Sequence, residues 1–165
     1  MNDRAAGTAV YSIDTSALMD WMGRYYPRGV FPGIVTRMED LARQGRLLAP
    51  QLVREEVAAV GTPELDDWCE AQFGIFVPTG ELLTEAVGIQ GRFPGLLDPR
   101  SQYEEADAYV IALAVVRGGI VVTQETPAAE KNRPKRSHYI PDVCRDLGVP
   151  CINLLGLMTR EGWRF

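Results

Sequence analysis

The chain has 165 residues, with 17 Lys+Arg against 22 Asp+Glu, a formal net charge of −5, 46% apolar residues and 24% charged ones. That length fits one domain, residues 1–165, able to bury ~68–70% of its unfolded surface around a single core. The composition excludes a disordered or fibrous chain, and the acidic balance excludes a global attraction for nucleic acid, so any such role must rest on a local basic patch.

The longest apolar runs, Val110–Val116 and Gly119–Val122, fall far short of the ~20 residues a membrane span needs. The opening Met1-Asn2-Asp3-Arg4 is not followed by an apolar stretch of signal-peptide type. The expectation is a cytoplasmic protein with no membrane partner. Cys69, Cys144 and Cys151 are odd in number and lack CxxC spacing, which argues against a disulfide framework or a structural zinc site and for reduced thiols in the core. The two lysines of the chain, Lys131 and Lys135, stand with Arg133 and Arg136 in one six-residue stretch, and the other cations are scattered arginines.

In chain order, Thr8–Ile13 is rich in β-branched and aromatic residues and predicts a strand, ending at Asp14-Thr15-Ser16, which are good N-caps for a helix over Ala17–Gly23. Tyr25–Pro32 carries Pro27, Gly29 and Pro32 and predicts a loop. A helix over Gly33–Gln44 follows, with Ile34, Met38, Leu41 and Ala42 on one face and Gly45 as its stop. Leu47–Ala49 predicts a short strand. Pro50 opens a helix with Leu52, Val53, Glu56, Val57 and Val60 on its apolar side, and Thr62-Pro63-Glu64 opens another through Trp68 and Ala71.

Gly74–Val77 reads as extended, Glu81–Gln90 as a helix and Pro94–Ser101 as a loop. Tyr103–Arg117 has the strongest helical pattern, closed by Gly118-Gly119, and leads to a buried strand at Ile120–Thr123. The polar stretch Gln124–His138 predicts a long loop. A short helix (Pro141–Leu147), a strand (Cys151–Leu154) and a last turn or helix complete the chain. Short apolar runs alternating with amphipathic segments predict an α/β fold of three layers, a mostly parallel five-stranded sheet flanked by helices.

In an open α/β sheet, ligands bind beyond the carboxyl ends of the strands. Asp14 stands after the first strand and Glu125 after Ile120–Thr123. Asp107 lies near the start of the strongest helix, and Glu55 and Glu56 early in the helix after the second strand. Asp107 shares a stripe with Val110, Ile111 and Ala114, where a carboxylate is costly unless paired or metal-bound. It also suits a helix N-terminus, as Asp14 suits an N-cap, so each taken singly has a structural reading. Glu56 falls on the apolar side of its helix, whereas Glu55 faces solvent beside Arg54.

Carboxylates gathered within ~4 Å repel by several kcal/mol at an effective dielectric near 20, so such a cluster needs protons or cations. Hard oxygen ligands suit Mg²⁺ or Mn²⁺, which can activate water and clamp a phosphodiester under in-line attack. The single histidine, His138, gives poor support to a Ser-His-Asp triad and excludes a multi-His metal site. Neither GxxxxGK[ST] nor a GxGxxG after a strand occurs. Asp14 as a phosphate acceptor is a further reading, without the second acid two residues on that many such phosphatases need.

The string Tyr11-Ser12-Ile13-Asp14-Thr15-Ser16-Ala17-Leu18 resembles the opening strand and first acid of PIN domains. Glu56, Asp107 within Ala106-Asp107-Ala108-Tyr109-Val110-Ile111-Ala112-Leu113-Ala114, and Thr123-Gln124-Glu125 resemble the second, third and fourth acidic motifs. The likeness runs from Tyr11 to Leu157, and the segments Trp21–Pro32, Ile140–Cys144 and Ile152–Leu157 are similar to a PIN-like branch of bacteria and archaea. The fourth motif more often ends in Asp. Here it is Glu125, which Asp142 could replace or join.

The resemblance implies a Mg²⁺- or Mn²⁺-dependent endoribonuclease cutting single-stranded RNA, often the toxin of a toxin–antitoxin pair. Asp14, Glu56, Asp107 and Glu125, with Asp142, would hold metal. Thr15, Ser16 and Thr123 would orient carboxylates and water, or else cap and pack. Lys131, Arg133, Lys135, Arg136 and His138 would meet RNA, or else form a solvated loop. Trp21, Met22, Tyr25, Tyr26 and Phe31 either cap the core or form a groove for an antitoxin protein or a twin subunit of a homodimer. The rival reading is a non-catalytic PIN-like module that binds RNA or protein.

Overall fold

The computed structural model describes residues 6–101 and 105–165. Five strands form one sheet: β1 (Tyr11–Ile13), β2 (Leu47–Pro50), β3 (Phe76–Val77), β4 (Ile120–Val122) and β5 (Cys151–Ile152). Their order is β3-β2-β1-β4-β5. Every pairing is parallel, with Tyr11 in register with both Leu47 and Ile120, and Ile13 with Val122. All residues of β1 and β4 are buried, as parallel strands covered on both faces require.

Eight α-helices flank the sheet among the described residues: α1 (Thr15–Asp20), α2 (Pro32–Arg43), α3 (Gln51–Val60), α4 (Pro63–Ala71), α5 (Thr79–Arg92), α6 (Asp107–Arg117), α7 (Ile140–Leu147) and α8 (Leu154–Arg160). The fold is therefore the expected three-layer α/β arrangement, with a sheet that is wholly parallel across the described strands. No helix among the described residues is long and apolar enough to cross a membrane.

Helix α6 is the middle of the core. Ala108 through Ala114 are buried without a break, the mark of a helix surrounded by protein. It packs on α5 on one side and across β1, β2 and β4 on the other. The Ser12 hydroxyl donates to the Val110 carbonyl at 2.7 Å, tying helix to strand. Gly118 ends the helix at φ 60°, a left-handed position that glycine takes without strain. A Cβ on Gly119 would stand 2.7 Å from the Val10 carbonyl oxygen, so the chain needs glycine to enter β4.

The first and last strands are shorter than the sequence reading, with Thr8 in a 3-10 turn and Leu154 in α8, and three helices depart from it as well. Helix α6 starts at Asp107 rather than Tyr103, because Glu105 and Ala106 are not helical, and Tyr103 itself lies outside the described residues. Val60 is 66% exposed, since α3 closes its packing at Val57. Helix α1 runs on as a π-turn over Trp21–Tyr25, where the Tyr26 amide reaches back to Trp21 O at 2.9 Å. That widened turn sets Trp21 edge-on to Trp68 of α4, with ring centroids 4.9 Å apart. Trp21 and Met22 thus belong to the core, while Tyr26 and Phe31 face a small apolar groove with Met158, Trp163 and Phe165.

The amino ends of the strands are held by a buried ion pair. Arg46 Nη2 lies 2.6 Å from Glu161 Oε2, with side chains only 10% and 7% exposed. Tyr11 Oη donates to the same carboxylate at 2.5 Å and Arg46 Nε to Ala9 O at 2.8 Å. Removing one partner of such a pair leaves a charge buried and unsatisfied. Glu161→Ala is expected to lower stability by ~3–5 kcal/mol in urea unfolding. Glu161→Gln, which keeps an acceptor for Tyr11, should lose less.

Candidate active site

The strand order reverses direction between β1 and β4, and open α/β sheets bind ligands at such a switch point, beyond the carboxyl ends of the strands. The Asp14 amide donates to Val122 O at 3.0 Å, carrying the β1–β4 ladder one residue further and setting Asp14 beside Thr123. Asp14 caps α1, its Oδ1 accepting from the Ala17 amide at 2.8 Å. Ser16 Oγ donates to both of its oxygens, at 2.8 and 2.9 Å, and Thr123 Oγ1 to Oδ2. The capping reading and the site reading of Asp14 therefore hold together.

Glu56 reaches from the middle of α3 toward the start of α6. Its Oε2 accepts from Thr15 Oγ1 at 2.6 Å and its Oε1 from the Ala106 amide at 3.1 Å. One carboxylate thus links the exit of β1 to the entry of α6. Asp107, Glu125 and Glu56 line a single cleft of about 290 Å³, with Glu105, Arg136 and Tyr139 also on its wall. Glu125 lines a second cleft of about 480 Å³ as well, shared with Thr123 and Cys151. Asp14, only 4% exposed, lies behind the hydroxyls of Ser16 and Thr123 and lines neither.

The charge balance of this region is lopsided. Burial pushes the Asp14 carboxyl up to about 7, against the pull of Thr123 and Ala17, and the charge of Glu125 raises it further. Glu125 is likewise raised to about 7, by burial first and then by Asp107, with the Ile140 amide and Arg136 opposing. Burial also raises Glu56 and Glu105, each helped by the Asp107 charge. For Asp107 burial outweighs the hydrogen bond and charge of Arg136, so it too is raised. One guanidinium does not neutralise this set.

Arg136 sits between two of the acids, its Nη1 at 2.8 Å from Asp107 Oδ2 and its Nη2 at 3.2 Å from Glu125 Oε1. Burial alone would lower its pKa, but Asp107, Glu125 and Glu105 raise it, so it stays charged. The sequence reading placed Arg136 among RNA contacts; the fold turns it inward onto the acids. Of its neighbours, Lys131 Nζ stacks 4.4 Å from the Tyr139 ring, Lys135 lines the cleft, and Arg133 is exposed. His138 packs against Phe93 at 5.7 Å between centroids and approaches Ser137 Oγ through Nδ1.

Asp142 belongs elsewhere. Its Oδ2 accepts from the amides of Tyr139 at 2.9 Å and Ala128 at 3.0 Å, so it caps α7 and pins the preceding loop. Glu105 was missed by sequence reasoning, although it stands two residues before Asp107. The pairing of Arg136 with Asp107, 29 residues away, had no signal in the sequence. Among the described residues, no three His, Cys, Asp or Glu side chains stand close enough to hold a metal ion as arranged. The donor set nonetheless fits a hard divalent cation, since the cleft offers carboxylate oxygens with unbalanced negative charge and neither thiol nor imidazole.

Fold and site together define an α/β protein with an acidic cleft at the carboxyl edge of a parallel sheet. Residues 11–165 match the family described as a domain of unknown function (DUF4411), and the chain belongs to that family. No curated protein matches the chain.

Two substitutions separate the acids by role. Asp14 ionises near pH 3.8 in an ordinary setting and near 7 here. A raised carboxyl favours folding below its unfolded pKa, and that advantage fades as pH climbs through the folded value. Without metal, Asp14→Asn should therefore match the wild type most nearly at the acid end. Its relative melting temperature should rise between about pH 4 and pH 7; a flat difference would count against the buried charge. Asp142→Asn should instead cost ~1 kcal/mol at neutral pH, by weakening a cap.

Proposed function

We propose that this chain is a Mg²⁺- or Mn²⁺-dependent endoribonuclease of the PIN-like type, hydrolysing single-stranded RNA at the cleft between β1, α3, α6 and β4. The observation that carries the reading is the convergence of Glu56, Asp107 and Glu125, from three separate elements, on one cleft, with buried Asp14 tied to Thr123 two residues before Glu125. Burial raises the pKa of all four, and a buried carboxylate is the kind that a bound cation stabilises in its charged form.

Asp107, Glu125 and Glu56 are the proposed metal holders, with Asp14 supporting from beneath. When bound, the ion supplies an activated water and a clamp for the phosphodiester oxygens. Thr15, Ser16 and Thr123 hold the carboxylates in place by hydroxyl donation, and Lys131, Arg133 and Lys135 offer positive charge to the RNA backbone on the rim. The cellular role proposed is that of a toxin, with the groove beside Tyr26 and Phe31 as the seat of an antitoxin protein.

A second reading, a non-catalytic PIN-like module, draws on one observation: Arg136 already bridges Asp107 and Glu125. Metal binding and cleavage decide between them. Mn²⁺ should raise the melting temperature of the wild type but not of Asp14→Asn or Asp107→Asn, and both variants should lose cleavage of single-stranded RNA while staying folded. Glu125→Gln should weaken Mn²⁺ affinity and cleavage by ~10–100-fold, and Asp142→Asn should keep both. Cleavage persisting in Asp14→Asn and Asp107→Asn would remove the acids from the chemistry.

A further inference from the structure

Arg136 lies on the long connection between β4 and α7, residues 123–139, and its side chain is only 15% exposed. Four contacts define its position. Two are the carboxylates of Asp107 and Glu125, at 2.8 and 3.2 Å. The third is the Leu96 carbonyl, which accepts from Nη1 at 2.9 Å. The fourth is the face of Tyr139, whose ring centroid lies 4.5 Å from the guanidinium carbon. The planar fork of arginine suits two carboxylates on separate elements, which a point charge on lysine would not match.

Arg136 occupies Asp107 Oδ2 and Glu125 Oε1, and both residues belong to the cleft wall. A divalent cation on the same oxygens would stand at contact distance from the guanidinium, and like charges so close repel.

We propose that Arg136 is an internal counter-ion that must leave the cleft for a divalent cation to enter, so that metal loading frees the loop around residues 126–138. This rests on the metal-dependent reading above. Arg136 is a positioning residue in this scheme. It holds Asp107 and Glu125 in place while no metal is bound and anchors the basic loop across the cleft. Its departure breaks the tie to Leu96 and Tyr139 and releases Arg136 toward Lys131, Arg133 and Lys135.

The test is Mn²⁺ titration by calorimetry on the full chain, paired with hydrogen exchange of the loop amides. Arg136→Gln is expected to bind Mn²⁺ ~10-fold or more tightly than the wild type, within the usual range for coupled sites, and Arg136→Lys to fall between them. In the wild type, Mn²⁺ should speed amide exchange over residues 126–138, whereas in Arg136→Gln that exchange should be fast from the start. Equal or weaker Mn²⁺ binding in both variants, with wild-type loop exchange unmoved by metal, would overturn the proposal. Failure of wild type and variants alike to bind Mn²⁺ would overturn the metal reading itself, and this proposal with it. Binding by Arg136→Gln alone would support both. Should Arg136→Gln fail to fold, Arg136→Lys and the wild-type exchange experiment still decide.

Discussion

The bond from the Asp14 amide to Val122 O, one residue beyond the paired strands, depends on β1 and β4 lying parallel and in register from Tyr11 and Ile120 onward. Two chain segments more than a hundred residues apart thereby leave the sheet side by side. Asp14 comes from one and Thr123 and Glu125 from the other. Had β4 paired with β2 or β3, Thr123 could not have reached Asp14, and the hydroxyl network would not exist. Glycine at 119 is part of the same constraint, because any larger residue would push β4 off Val10 at its entry.

The edge so formed concentrates charge that the fold is slow to neutralise. Backbone amides of Ala17, Ala106 and Ile140 and hydroxyls of Thr15, Ser16 and Thr123 each stabilise one carboxylate, yet burial outweighs them at Asp14, Glu56 and Glu125. Sites where desolvation and like charge push pKa values up are where proteins do chemistry or bind cations. Arg136 gives partial relief from the connection between β4 and α7.

Stability and site occupy opposite edges of the sheet. At the amino ends, Arg46, Glu161 and Tyr11 form a buried pair whose charges balance, tying the end of α8 to the entries of β1 and β2. At the carboxyl ends the charges do not balance. At the first edge each charge has its partner, whereas at the second Asp14 is an acid whose pKa burial pushes up. The apolar groove lined by Tyr26, Phe31, Met158, Trp163 and Phe165 shares no residue with either network.

The sequence by itself determined the α/β class, the five strands to within a few residues, and the placement of Asp14, Glu56, Asp107 and Glu125 near strand and helix ends. Those features follow from local periodicity and capping, which a short window contains. Asp142, which the resemblance offered as a metal holder, instead accepts from the amides of Tyr139 and Ala128. Only the tertiary structure decided that Glu56 links β1 to α6, that Glu105 joins the cleft wall, and that Arg136 turns inward. Each of these depends on contacts across 29 or more residues, or on the exact start of α6, and no periodicity records which distant carboxylate a loop arginine will meet. A basic run reads as surface because most are. Burial against Asp107 and Glu125 reversed that for one residue alone, since only Arg136 lies where the loop crosses two unneutralised acids.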